Sequence, residues 1–156
     1  MTVAASTLVS HRTSLALPIA VGGAVAGTLD LTSAFITFGW STPRAIAGGL
    51  LGRQVFTNHS IPVWILGVLL HYVIAFSAAA IYCFASRRLP FLREHWLVCG
   101  MFFGIAVFLV MNLVVLPLSA LHSSGPYQWR GLTEGVVIHM LIIGLPIAFS
   151  LRKLTD

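Results

Sequence analysis

The chain has 156 residues, 58% of them hydrophobic and 8% charged, with a mean hydropathy of +0.95. Soluble domains carry about 25% charged residues, so this sequence lacks the charge to coat a water-exposed surface, and lipid is its expected solvent. The net charge of +5 does not read as nucleic-acid binding, because the basic residues form no dense patch and fall between apolar runs, as membrane topology requires.

Residues Met1 to Ser14 are small and polar, with His11 and Arg12 just ahead of the first apolar run. Ala24-Val25-Ala26 imitates a signal-peptide cleavage pattern. The apolar character nevertheless continues to Trp40, so a retained transmembrane helix over about 17–39 is expected, matching the roughly 20 residues that span a bilayer. Its face Gly23, Gly27, Asp30, Ala34 follows helical spacing. Gly23 and Gly27 allow another helix to approach closely, so Asp30 should point into the bundle.

Ser41-Thr42-Pro43 reads as a helix start with a hydroxyl cap. The segment Arg44 to Phe56 mixes apolar residues with Arg44, Arg53 and Gln54. It is too short and too charged to span, and an interfacial or re-entrant helix is expected. Gly48, Gly49 and Gly52 weaken its continuity. The second span covers about 62–85 and carries His71; a basic loop with Arg87, Arg88, Pro90, Arg93 and Glu94 follows. The third covers about 96–118, with Gly100, Gly104, Asn112 and a late Pro117. Ser123-Ser124-Gly125-Pro126 signals a turn. The fourth covers about 132–151, with Glu134, His139 and Pro146. Cys83 and Cys99 are too few for a disulfide framework and match no zinc spacing; they read as small apolar fillers.

The expected architecture is thus an all-α membrane protein, a single domain over 1–156. It is a four-transmembrane-helix bundle with a short interfacial or re-entrant helix between helices one and two. Arg12, Arg87, Arg88, Arg93, Arg152 and Lys153 share one side, against Arg44, Arg53 and Arg130 on the other. Six against three favours cytoplasmic N- and C-termini. Trp40, Trp64, Trp96, Tyr127 and Trp129 fall near span ends, as an interfacial aromatic belt does.

Depth follows from the helical rise. Asp30 lies roughly 15 Å below the outer surface, and His71 roughly 14 Å. Asn112 and His139 lie about 9 and about 10 Å in, with Glu134 nearer the surface. Asp30, His71, Asn112, Glu134 and His139 therefore share the outer half, and the inner half carries no ionisable residue until the helix ends. Glu134 and His139 are five residues apart, about 140° around a regular helix, so both can face one pocket only if helix four is distorted. Intramembrane carboxylates and imidazoles are costly and mark relays or pathways, and an Asp beside a His can share a proton. One reading is an outward-facing pocket for a proton or small solute. The rival is a structural or partner-binding subunit in which Asp30 and His71 clasp helices one and two. His71 and His139 could also be the axial pair of a b-type haem, although Phe76, Phe103 and Phe108 read as ordinary lipid-facing filler.

The nucleophile elbow, H-E-x-x-H, Walker loop and dinucleotide fingerprint do not occur in the sequence, so an enzyme is not expected. Arg87, Arg88 and Arg93 could hold anionic lipid headgroups. Gly100 and Gly104 offer a face for a homo-oligomer. Besides the lipid bilayer, a second copy or another membrane protein is the expected partner.

His71-Tyr-Val-Ile-Ala-Phe-Ser-Ala-Ala-Ala-Ile-Tyr82 with Arg88-Leu-Pro-Phe-Leu92, and Gly100-Met-Phe-Phe-Gly104 running on to Val115-Leu-Pro-Leu-Ser-Ala120, complete the pattern. With Glu134 and His139 on the last helix, this resembles the YagU-like group of small bacterial inner-membrane proteins of unknown function. The similarity covers roughly helices two to four. It implies a multi-span protein of a bacterial inner membrane and carries over no catalytic or ligand residue.

Overall fold

The computed structural model describes residues 14–57, 60–123 and 128–155. His11, Arg12, Ser124 to Pro126 and Tyr127 lie outside the described residues. Among the described residues the fold is all-helical, with four helices long and apolar enough to cross a membrane. They are α1 (Ala16–Phe38), α3 (Ile61–Ser86), α5 (Trp96–Leu118) and α6 (Trp129–Leu154). Two short helices connect them, α2 (Thr42–Leu51) and α4 (Phe91–Glu94). Leu69, Val73, Ile81, Phe102 and Leu113 are all exposed, an apolar surface of the kind that lipid covers.

α1 lies between α3 and α6, and glycine sets both crossings. Gly23 packs on Phe76, Gly27 on Tyr72 and Ala75, and Gly22 on Ile147 and Ser150. Between lipid-solvated helices such contacts stabilise through van der Waals packing rather than water release, which is why small residues gather there. Gly100 and Gly104 use the same device, but toward their own chain. Cβ atoms there would press on Ala148, Gly144, His139 and Met140 of α6. The face expected for a second copy is therefore occupied within the monomer.

The half of the bundle near the chain termini is solid. Tyr82, Cys83, Ile147 and Leu151 are each at most 2% exposed, and Phe103 closes on Tyr82 at 4.9 Å between ring centroids. Tyr82 donates its hydroxyl proton to the Leu92 carbonyl at 2.9 Å. Cys83 is a buried filler, as expected of a small apolar side chain. Arg93, expected at lipid headgroups, reaches the Thr155 carbonyl at 3.3 Å and so ties the loop after α3 to the end of α6. Arg87 lies over the Phe84 ring at 5.5 Å, while Arg88 is exposed.

At the opposite end, Phe35, Trp40 and Trp64 stack, with 4.6 Å and 5.4 Å between successive centroids. Trp64 donates Nε1–H to the Trp40 carbonyl at 3.1 Å. α2 runs unbroken through Gly48 and Gly49, followed by a short 3-10 turn over Arg53–Phe56. Gly39 and Gly52 bracket α2 with φ of 80° and 82°, a left-handed conformation open to glycine at little cost. The expected hydroxyl cap is not formed at Ser41. Thr42 instead donates its hydroxyl to the Gly39 carbonyl at 2.8 Å. α2 crosses α3 where a Cβ at Gly67 would overlap the Pro43 carbonyl. Ala120 N–H donates to Gly49 O at 2.9 Å, holding α2 to the end of α5.

Both later spans are locally distorted. α5 widens into a π turn over Met111–Val115 and α6 over His139–Gly144. Each precedes a proline, Pro117 or Pro146. A proline ring crowds the carbonyl four residues back and withholds an N–H from the ladder. The widened turns absorb that mismatch without breaking the span.

Candidate functional site

A chamber of about 880 Å³ occupies the half of the bundle beneath α2. Volumes of about 300–1,000 Å³ are those of small-molecule sites. All four spans and α2 line it, and Ala26, Ala78, Val107 and Ile143 form the margin toward the solid half. Asp30, His71, Asn112, Glu134 and His139 all belong to its lining.

Their individual bonds differ from those the sequence leads one to expect. His71 is buried and donates Nε2–H to the Gly27 carbonyl at 2.8 Å. The glycine permits this, because any side chain there would meet Tyr72 and Ala75. The helix-to-helix tie is thus imidazole to backbone, one turn before the carboxylate, and not an Asp30–His71 clasp. A second tie joins Thr28 Oγ1 and Tyr72 OH at 2.9 Å. Asp30 is half-buried, and among the described residues its carboxylate has no hydrogen-bond or ion-pair partner.

His139 donates Nδ1–H to the Gly135 carbonyl at 2.8 Å, and Asn112 donates Nδ2–H to the Phe108 carbonyl at 2.9 Å. Each side chain thus bonds back one turn, at the edge of its helix's π turn. Glu134 and His139 reach the same chamber because it is wide, and because α6 widens from His139 onward. Glu134 is neutralised by Arg130 Nε at 2.8 Å, and its side chain stays 56% exposed. It is therefore a rim residue.

The axial haem pair is not supported. Nε2, the His71 nitrogen that projects furthest from the backbone, is directed to Gly27; only the nitrogen flanked by Cβ remains for a metal. Among the described residues no group of three or more His, Cys, Asp or Glu is placed to hold a metal ion.

Sequence reasoning missed Phe108 and the α1 hydroxyls. Phe108 is 7% exposed and not lipid-facing. It packs edge-on to His139 at 5.2 Å and fills space that a Cβ at Gly135 would close. Ser33 and Thr37 join Asp30 in the lining. Their signal was the spacing of three and seven residues from Asp30, one helical face.

No family model, curated protein or solved structure matches the chain. Its chemistry is accordingly read from the chamber itself. The walls are largely apolar, with carboxylates on α1 and α6, imidazoles on α3 and α6, and a carboxamide on α5. Such a lining can seat a solute and orient it through a few polar contacts.

Proposed function

We propose that this multi-pass membrane protein binds a small solute in the chamber beneath α2. The observation that carries this reading is an 880 Å³ space lined by Asp30 and His71 and backed by the packed core of Tyr82, Cys83, Ile147 and Leu151. In this reading the protein lies in a bacterial inner membrane with both termini in the cytoplasm, so the chamber faces outward. The distribution of Arg87, Arg88, Arg152 and Lys153 against Arg44, Arg53 and Arg130 supports that threading. The YagU-like resemblance supports the compartment.

A purely structural subunit is the rival. The His71–Gly27 bond favours that role for His71. The carboxylate of Asp30, without a partner among the described residues, does not, because a structural carboxylate at this depth needs a donor.

The test is thiol access at Ser33, with Cys83 and Cys99 replaced by alanine. A membrane-impermeant maleimide should modify Ser33→Cys from the periplasmic side of intact cells and leave it untouched from the cytoplasmic side of inverted vesicles. Modification from the cytoplasmic side alone, or from neither side while the denatured chain reacts, would overturn the reading.

A further inference from the structure

The chamber's charge is one-sided. The chain carries nine Lys+Arg and a net charge of +5, yet among the described residues no lysine or arginine lines the chamber, and two carboxylates do. Glu134 already has its countercharge in Arg130, from outside the lining. Asp30 has none among the described residues. An ionised carboxylate half-surrounded by apolar walls is costly without a compensating charge.

The hydrogen-bond inventory points the same way. His71 spends its Nε2–H on Gly27 and His139 its Nδ1–H on Gly135, so neither of those N–H groups is left for a ligand. Thr37 and Thr42 give their hydroxyl protons to Ser33 and Gly39 carbonyls. These side chains have their donors engaged and acceptors to spare. Ser33, Asn112 and Gln128 also bring donors to the lining, but an anion would reach them only beside a carboxylate without a countercharge among the described residues. A bare metal ion would need several more oxygen or nitrogen ligands than Asp30 supplies, and the described residues form no such group. Phe38 and Phe108 add aromatic surface, to which cations are attracted.

We propose that the chamber binds an organic cation with an apolar body, and that Asp30 is its counter-ion. This rests on the small-solute reading above and names its ligand class. The charged head would meet the carboxylate, while the body lies against Ile74, Met111 and Val115, which line the same chamber.

The experiment uses the full chain in nanodiscs of zwitterionic lipid, with equilibrium dialysis of three probes of similar shape: phenethylammonium, phenethyl alcohol and hydrocinnamate. Empty nanodiscs give the lipid-partition blank. The wild type should hold phenethylammonium about tenfold more tightly than the alcohol, and hydrocinnamate least. Asp30→Asn should bring the cation to the level of the alcohol while the alcohol is held as before. Asp30→Glu should keep the preference.

Equal retention of cation and alcohol by the wild type would overturn the charge assignment and leave the chamber standing. So would a cation preference that survives Asp30→Asn. Failure of all three probes to bind would overturn both readings. The wild-type ratio decides the matter even where Asp30→Asn does not fold.

Discussion

The His71 imidazole donates Nε2–H to the Gly27 carbonyl at 2.8 Å, and so pins α3 to α1 one turn before Asp30. The two residues expected to hold each other thus have separate tasks, one in the joint and one in the chamber wall. His71→Ala should lower the unfolding free energy in mild detergent by about 1–2 kcal/mol, combining a lost interhelical bond with lost packing. Asp30→Asn should not lower it, since no partner is lost and an uncompensated charge is removed. Denaturant titration of both variants checks the division. An equal loss for both would restore the clasp.

Gly67 is where α2 leans on α3, its Cα hydrogen toward the Pro43 carbonyl. A backbone carbonyl cannot rotate aside as a flexible side chain can. Gly67→Ala should therefore displace α2 and cost about 1–3 kcal/mol. The displacement should also raise the rate at which Ser33→Cys reacts with an impermeant maleimide. A variant with unaltered stability and reactivity would show that α2 does not cover the chamber.

Gly104 meets the backbone of His139 and Met140 on α6. Gly104→Ala should loosen α5 from α6, lowering stability by about 1–3 kcal/mol without altering the mass measured by light scattering in detergent. A dimer that dissociates on this substitution would place the glycine at an interface between copies instead.

The threading is checked by reporter fusions. Phosphatase should be active at Ser123 and inactive at Arg88 and Lys153, with a cytoplasmic reporter giving the reverse. A phosphatase signal at Arg88 would invert the bundle, and the chamber with it.

Much of this architecture was legible before any coordinates. Four apolar runs of span length fix four helices because the bilayer leaves the backbone no other way to satisfy itself. Counting helical rise from the loops placed Asp30, His71, Asn112, Glu134 and His139 in one half of the bundle, and all five line one chamber. Individual partners were harder to read. Depth fixes a level but not an azimuth, so Asp30 and His71 could be matched in height without touching. The imidazole found a carbonyl exposed by Gly27, and no side-chain pattern announces a backbone acceptor. The π turns were hidden for a related reason. Pro117 and Pro146 flag a disturbed helix, but where the extra residue is accommodated depends on the neighbouring helix. Gly104, against His139 and Met140, fits that crossing in α6.

The solid half of the bundle makes the chamber a cul-de-sac. A guest arriving beneath α2 meets Ala26, Ala78 and Ile143, each no more than 8% exposed, and beyond them Tyr82, Ile147 and Leu151 in close contact. Onward passage would require prising these apart and breaking the Tyr82–Leu92 bond. Among the described residues the chamber is closed toward the half of the bundle that holds Tyr82, Ile147 and Leu151.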